Sequence, residues 1–385
     1  MEEEEFLTDN EDVLDGKQIQ KQDLVPEEPS LPVAESEITV DSRIKDLLLN
    51  SGKIAIITDL DGTIVPYCLN PRECKVDALA HKSLAEMQQD GAVIFVETGR
   101  SGADASRLLN LPHAIIVGTA GWEVFVAGEN PGEGESIVHE RFLEHQDEIN
   151  HFFELFEQSF LSLLQEQIER AGDDDITEEI VSSDGLLIYE KKAVNKDFAR
   201  GISLNFNLNQ ISSQKWETLI EAAEEIYNSQ LPESLKEIYR FTKTLKKEGE
   251  RPNCSFSISP FGEEGKDKGF IQLLRNDDDS NSLTGNDLRD KHFQGLPGGF
   301  DGAIFLGDTN QDAKAMRAAH LAAVIAKKRS LSIVVKRQDQ SGQEKAMQKA
   351  DIEVQDVEGA AGLLAGMAGI LGRKTTSKGE DENDI

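Results

Sequence analysis

Two aspartates two residues apart, Asp59 and Asp61, close the apolar run in "IAIITDLDGTIVPY". Strand residues two apart point the same way, so both carboxylates can face one crevice beyond the strand's carboxyl end, where ligands of open α/β sheets sit. A pair of turn-forming aspartates in "DLDG" would look the same, because Asp-Gly is common at turns. Three further clusters recur along the chain. "VIFVETGRS" ends in Thr98, Gly99 and Arg100, where a hydroxyl and the following helix N-terminus can hold phosphate oxygens. "GKDKGF" puts Lys268 at a helix start, where an ammonium can neutralise a phosphate and a carboxylate attacking it. "AIFLGDTNQDAKAM" supplies Asp308 and Asp312, hard oxygen donors suited to Mg2+. Each cluster alone has a plain reading as a cap or a turn, but all four in this order, each at a strand end, are hard to explain that way.

The elements that must carry these residues are short apolar runs alternating with helical stretches. "KIAIIT", "AVIFVE" and "HAIIVG" are separated by "DALAHKSLAEMQQ" and "SGADASRLLN", and the rhythm returns after residue 260 with "DKGFIQLLRN", "GAIFLGD", "DAKAMRAAH", "LAAVIA" and "LSIVVK". Strands buried on both faces and joined by helices imply an α/β fold, a Rossmann-like parallel sheet. Between Trp122 and residue 260 the order changes to a candidate hairpin, a long helical segment from about 141 to 171, the strand candidates "EEIVSS", "GLLIYEKK" and "GISLNF", a helix near 214 to 228, and "CSFSIS". That order predicts an inserted smaller α+β unit with its own sheet. The expected division is an acidic tail over 1–40, a core over 41–124 and 254–372, the insert over 125–253, and a polar C-terminal tail over 373–385. "GLLAG" near the end belongs to a closing helix, which is too short to span a bilayer.

Composition excludes several classes of partner. The chain has 385 residues and a net charge of -32, so a phosphate backbone or an anionic membrane surface would be repelled over most of the molecule. Neither nucleic acid nor membrane is expected, and no run reaches the roughly 20 apolar residues that cross a bilayer. Cys68, Cys74 and Cys254 are too few and too irregularly spaced for a disulfide framework or a zinc site. They read as reduced thiols, which makes the cytoplasm the default location. The acidic first 40 residues are a solvated tail whose partner the sequence does not name. His113, His139, His145 and His151 have no metal-binding spacing, and Trp122 reads as a packing residue.

With these residues in view, the chain resembles the haloacid-dehalogenase-like phosphohydrolases, whose four motifs are similar to "DLDGT", "ETGR", "KDKG" and "GDTNQD" over residues 53 to about 372. The resemblance implies Asp59 as nucleophile and Asp61 as general acid/base. It also implies that Thr98 and Lys268, with Gly99 and Arg100, hold the phosphate, and that Asp308, with Asp59, Asp61 and Asp312, binds Mg2+. An insert between the second and third motifs marks a capped subgroup acting mostly on sugar phosphates. Within it, "DGTIVPY", "GTAGWEVF", "YEKKAVNKDFAR" and "SISPFGEEGKDKGFIQLL" look like the signatures of trehalose-6-phosphate phosphatases. That similarity implies that Glu190 and Lys192 contact a phosphosugar substrate. Where that family usually carries Glu and Arg before the proline of "SISP", this chain has Ser257 and Ser259, and the loop 276–299 and Gln311 also depart from the pattern. The readings on this scaffold are a Mg2+-dependent sugar-phosphate phosphatase, a phosphosugar mutase, and a weakly active phosphosugar-binding regulatory protein.

Overall fold

In the central strands, alternate residues feed two different cores. The computed structural model describes residues 40–67, 74–138, 140–171, 187–193, 199–207, 213–244, 253–260, 299–310, 312–325, 327–337 and 343–381. Along β1 (Ile54–Asp59), Ile54 and Ile56 join one apolar cluster while Ala55 and Ile57 join the other. The same alternation divides Ile94 and Val96 from Val93 and Phe95 on β2 (Val93–Glu97), and Ile304 and Leu306 from Ala303 and Phe305 on β10 (Gly302–Gly307). Both faces are therefore covered, as a parallel sheet requires.

The first cluster is closed by α1 (Ser42–Asn50), α2 (Ala78–Gln89), α3 (Gly102–Leu109) and α9 (Asp356–Asp381), which contribute Leu47, Leu84, Leu109 and Leu364. The second lies under α7 (Asp312–Ile325) and α8 (Glu344–Lys349), through Ala315, Met316 and Ala346. Local chemistry starts these helices where the chain needs them. The Asp77 side chain accepts from Leu79 N and Ala80 N to cap α2, and the Ser101 hydroxyl accepts from Asp104 N to cap α3.

The large sheet is completed by β3 (Ile115–Gly118), β4 (Glu123–Ala127), β5 (Gly134–Val138), β11 (Arg329–Lys336) and β12 (Ile352–Gln355), in the order β12-β11-β10-β1-β2-β3-β4-β5. It is parallel from β12 to β3 and antiparallel at the β3-β4-β5 edge. A second, antiparallel sheet is formed by β6 (Leu187–Ala193), β7 (Ala199–Asn207), β8 (Tyr239–Thr244) and β9 (Asn253–Pro260), in the order β6-β7-β9-β8. An aromatic core joins it to α5 (Gln146–Ala171) and α6 (Ser213–Gln230), where Phe152, Phe156, Phe160 and Tyr227 meet Phe256 and Ile258. The expected α/β architecture, a Rossmann-like sheet with a smaller inserted α+β unit, is the one observed.

Several particulars differ from the sequence reading. The hairpin after Trp122 forms, but β4 pairs with β3 and extends the large sheet, while β9 lies in the small one. Residues 125 and 253 are therefore not where sheet membership changes. The helical segment from 141 is broken into α4 (Glu140–Glu144) and α5, and "LAAVI" continues α7 instead of forming a strand. Residues 373–381 belong to α9, and Lys374 and Thr375 anchor it. Lys374 Nζ donates to the carbonyls of Leu48 and Ser51 at 2.8 and 2.5 Å, satisfying the C-terminal end of α1, and Thr375 Oγ1 donates to Asp90 at 3.1 Å. Trp122 is a packing residue, 5% exposed and edge-on to Phe142 at 4.9 Å.

Cys74 is disulfide-bonded, against the reading of three reduced thiols. Too few cysteines for a framework does not exclude one bridge, and cysteine usage no longer favours a reducing compartment. The tail 1–39, "EEIVSS" and the loop 276–298 lie outside the described residues. Among the described residues no helix is long and apolar enough to cross a membrane.

Candidate active site

Three strand ends deliver carboxylates and hydroxyls to one edge of the large sheet. β1 ends on Asp59, which is 6% exposed, and its register partner on β2 is the fully buried Glu97. Past Asp59 the chain folds into a tight loop in which Gly62 N donates to Val65 O at 2.7 Å and Val65 N donates to Leu60 O at 2.9 Å. Gly62 has φ +92°, and a Cβ placed there would lie 2.3 Å from Asp308 Oδ2 and 2.4 Å from the Tyr67 ring. Only glycine permits both that backbone conformation and that approach.

β10 leads into Asp308, and α7 begins at Asp312. Both residues are fully buried. One oxygen of Asp312 accepts from Asp308 N at 3.0 Å, Thr309 N at 2.7 Å and Thr309 Oγ1 at 2.7 Å, which fixes the turn that presents Asp308. Asp59, Asp308 and Asp312 each offer a carboxylate oxygen, and these atoms lie within 4.8 Å of one another. Among the described residues this is the group that could hold a metal. Three buried carboxylates at that spacing repel one another unless a cation lies among them, and hard oxygen donors suit Mg2+.

The second strand end contributes the buried Thr98. Its N–H donates to Val117 O at 3.0 Å, and its Oγ1 accepts from Arg100 N at 3.1 Å. Arg100 then reaches across to Asp61 as a fork, with Nε to Oδ2 at 2.8 Å and Nη2 to Oδ1 at 2.6 Å. Both Asp61 carboxylate oxygens thus accept from a guanidinium, and the cluster of converging carboxylates comprises Asp59, Asp308 and Asp312. The two residues assigned separately from sequence, Asp61 and Arg100, form one unit. At Gly99 an added Cβ would meet nothing within 4 Å, so space does not require glycine there.

Glu190 and Lys192 stand two apart on β6, an edge strand of the small sheet, opposite Ser203 and Gly201. Ser257 is an interior residue of that sheet, its hydroxyl 2.8 Å from Thr242 Oγ1. Lys268 and Gln311 lie outside the described residues.

Three residues enter the site that sequence reasoning missed. Tyr67 OH donates to Asp308 Oδ2 at 3.0 Å, and Arg337 Nε lies 3.5 Å from the same oxygen. Burial of the hydroxyl end, with the negative charges of Asp308 and Asp59, pushes the Tyr67 phenol above its ordinary range, so it remains a donor. Gln343, fully buried, donates to the carbonyls of Asp308 and of Val335 (2.8 Å) and accepts from Arg337 N (2.9 Å). Tyr67 stands within "DGTIVPY" and carried that much signal. Arg337 and Gln343 follow β11 in a stretch without any pattern.

No family model and no curated protein matches the chain in sequence. Solved structures do match it in shape. The C-terminal domain of C. albicans trehalose-6-phosphate phosphatase is 12% identical, aligns over 85% of this chain and 97% of its own, and has a TM-score of 0.52. A trehalose-6-phosphate phosphatase related protein is 16% identical over 83% of this chain and 99% of its own, with a TM-score of 0.49. A haloacid dehalogenase-like hydrolase from B. subtilis is 14% identical over 80% and 98%, with a TM-score of 0.39. The first of these establishes a shared fold.

Proposed function

We propose that the chain is a Mg2+-dependent phosphatase of sugar phosphates that works through a covalent phosphate on Asp59. The observation carrying this reading is the convergence of Asp59, Asp308 and Asp312 within 4.8 Å at the sheet edge that also bears Thr98 and the Arg100–Asp61 pair. Asp59, Asp308 and Asp312 would hold the ion. When bound, it offsets the charge of a phosphate that would otherwise repel a carboxylate nucleophile.

The chain's own residues account for the rest of the chemistry. The Thr98 hydroxyl and Lys268 hold phosphate oxygens. An oxygen of Asp59 attacks phosphorus as the bond to the sugar oxygen breaks, giving an aspartyl phosphate and splitting one difficult step into two. Asp61, protonated once it is released from Arg100, supplies that proton to the departing sugar oxygen and, then ionised, takes one from the water whose oxygen attacks phosphorus as the bond to Asp59 breaks. Both Asp61 oxygens accept from Arg100 in this structure, so the pair must open before Asp61 can serve, and an incoming phosphate is a competing partner for the guanidinium.

The large sheet is the catalytic core in this reading and the small sheet with α5 and α6 is its cap, the change falling near residues 139 and 260. Glu190 and Lys192 on the cap strand β6 are assigned to the sugar hydroxyls of trehalose 6-phosphate or a related disaccharide phosphate. Release of inorganic phosphate from a panel of phosphorylated sugars, with Mg2+ and with a chelator, tests the reading. Turnover of disaccharide phosphates that disappears with the chelator supports it. Isomerised sugar phosphate without release would favour a mutase, and metal-independent release would remove the assignment of the carboxylate cluster.

A further inference from the structure

Arg337 stands against the carboxylate cluster, and nothing in the mechanism above uses it. Its Nε is 3.5 Å from Asp308 Oδ2, the oxygen that also accepts from Tyr67, and its guanidinium lies 5.4 Å from the centroid of the Tyr67 ring. Its side chain is 17% exposed. The backbone beneath it is fixed as well, because the buried Gln343 amide accepts from Arg337 N while donating to the Asp308 carbonyl. A guanidinium does not lose its proton in proteins, so this is a permanent positive charge tied to one of the three converging carboxylates.

Charge counting gives that placement a consequence. Asp59, Asp308 and Asp312 contribute three formal negative charges, and Arg337 reduces the sum to two. A divalent ion then makes the cluster neutral, where without Arg337 a negative charge would remain facing an incoming phosphate. We infer that Arg337 tunes the cluster's charge, loosening its hold on the divalent cation and strengthening the metal-loaded site's hold on phosphate. This inference rests on the metal assignment made under the proposed function.

Opposite effects on cation and anion distinguish this role from a structural one, since damage to the scaffold weakens both together. The full-length protein is titrated with Mn2+, read by electron paramagnetic resonance of the free ion, and the Mg2+-saturated protein is titrated with orthophosphate by calorimetry. Arg337→Met should bind Mn2+ about tenfold more tightly and orthophosphate about tenfold more weakly, the size expected for one charge near a divalent ion. Arg337→Lys keeps the charge and should stay within about twofold of wild type in both titrations.

Unchanged Mn2+ affinity in Arg337→Met, or weakening of both ligands in a variant with native circular dichroism, overturns the inference. If Arg337→Met does not fold, Arg337→Gln is measured in the same way. Folding with Lys but with neither neutral residue would make Arg337 a structural ion-pair partner and also overturn it. A wild-type protein that fails to bind millimolar Mn2+ refutes the metal assignment itself, whereas one that binds Mn2+ without sensitivity to position 337 refutes this inference alone.

Discussion

Replacing Gly62 by alanine tests whether the loop after β1 packs against the carboxylate cluster as closely as the geometry states. The added Cβ would lie 2.3 Å from Asp308 Oδ2 and 2.4 Å from the Tyr67 ring, so these groups must retreat by roughly 1 Å to reach ordinary contact. Two costs add. Holding alanine at φ +92° costs about 1–2 kcal/mol, and forcing the neighbours apart costs about 1–3 kcal/mol more. The expected loss is about 2–5 kcal/mol, a large part of the roughly 5–15 kcal/mol that holds a domain together. Gly91 supplies the control, because its φ is +89° but nothing lies within 4 Å of its Cβ position. Gly91→Ala should therefore show the conformational cost alone. Urea unfolding of both variants isolates the contact term as the difference between them. If Gly62→Ala is no less stable than Gly91→Ala, the close approach of this loop to Asp308 and Tyr67 does not exist, and only the backbone angle requires glycine at 62.

Asp59→Asn, a nearly isosteric change, should lower phosphate release by more than about a hundredfold with the unfolding midpoint kept, and greater residual activity would reject Asp59 as the nucleophile. Gln343→Leu leaves Arg337 N and the carbonyls of Asp308 and Val335 without the amide that joins them, and should cost roughly 3–5 kcal/mol in urea unfolding. A loss below about 1 kcal/mol would mean that solvent replaces that amide. Burial pushes the Tyr227 phenol up to about 12, above its value in an unfolded chain, so the native state keeps a proton that the unfolded state gives up. The stability this contributes is complete below about pH 10 and is lost as pH rises toward 12. Comparing urea midpoints at pH 8 and 11 should show a smaller alkaline decline in Tyr227→Phe than in wild type, and equal declines would reject the assignment.

How far the sequence disclosed the fold depends on how local each cause is. The parallel strands were readable because burial on both faces makes a strand continuously apolar, as in Ile54 to Ile57 and Ile304 to Leu306, and the caps at Asp77 and Ser101 act within three residues. Sheet membership is a long-range property. Nothing in "EVFVA" states that its partner is β3, and β8, with the polar "YRFTKT", carries too little apolar signal to be recognised before β9 is beside it. The last turns of α9 read as a tail in sequence because Lys374 and Thr375 look like solvated residues until α1 and Asp90 are placed next to them. The same division governs the site. Asp59, Asp308 and Asp312 were legible as strand-end carboxylates. The pairing that sets Asp61 apart from them was not, because its partner, Arg100, lies 39 positions away, and Arg337 and Gln343 were invisible because they follow a strand end without a motif.

A net charge of -32 would repel the anionic substrate of the proposed reaction at long range. Long-range repulsion acts on the rate of encounter and is screened within about 8 Å at physiological salt, whereas the site acts through contacts. At those contacts the described cations are not dispersed. Arg100 is forked onto Asp61, and Arg337 is set against Asp308 and Tyr67. In the proposed reaction a phosphate at this edge would meet guanidinium groups already positioned by carboxylates, whose orientation entropy is spent in folding and not in binding. The acidic residues beside them therefore do two jobs in the proposed reaction. They hold the cations in place before substrate arrives, and Asp61, once Arg100 turns to the phosphate, is freed to take up the proton that it gives to the leaving oxygen. On that proposal an acidic protein binds a phosphate ester at one edge while its net charge repels larger polyanions.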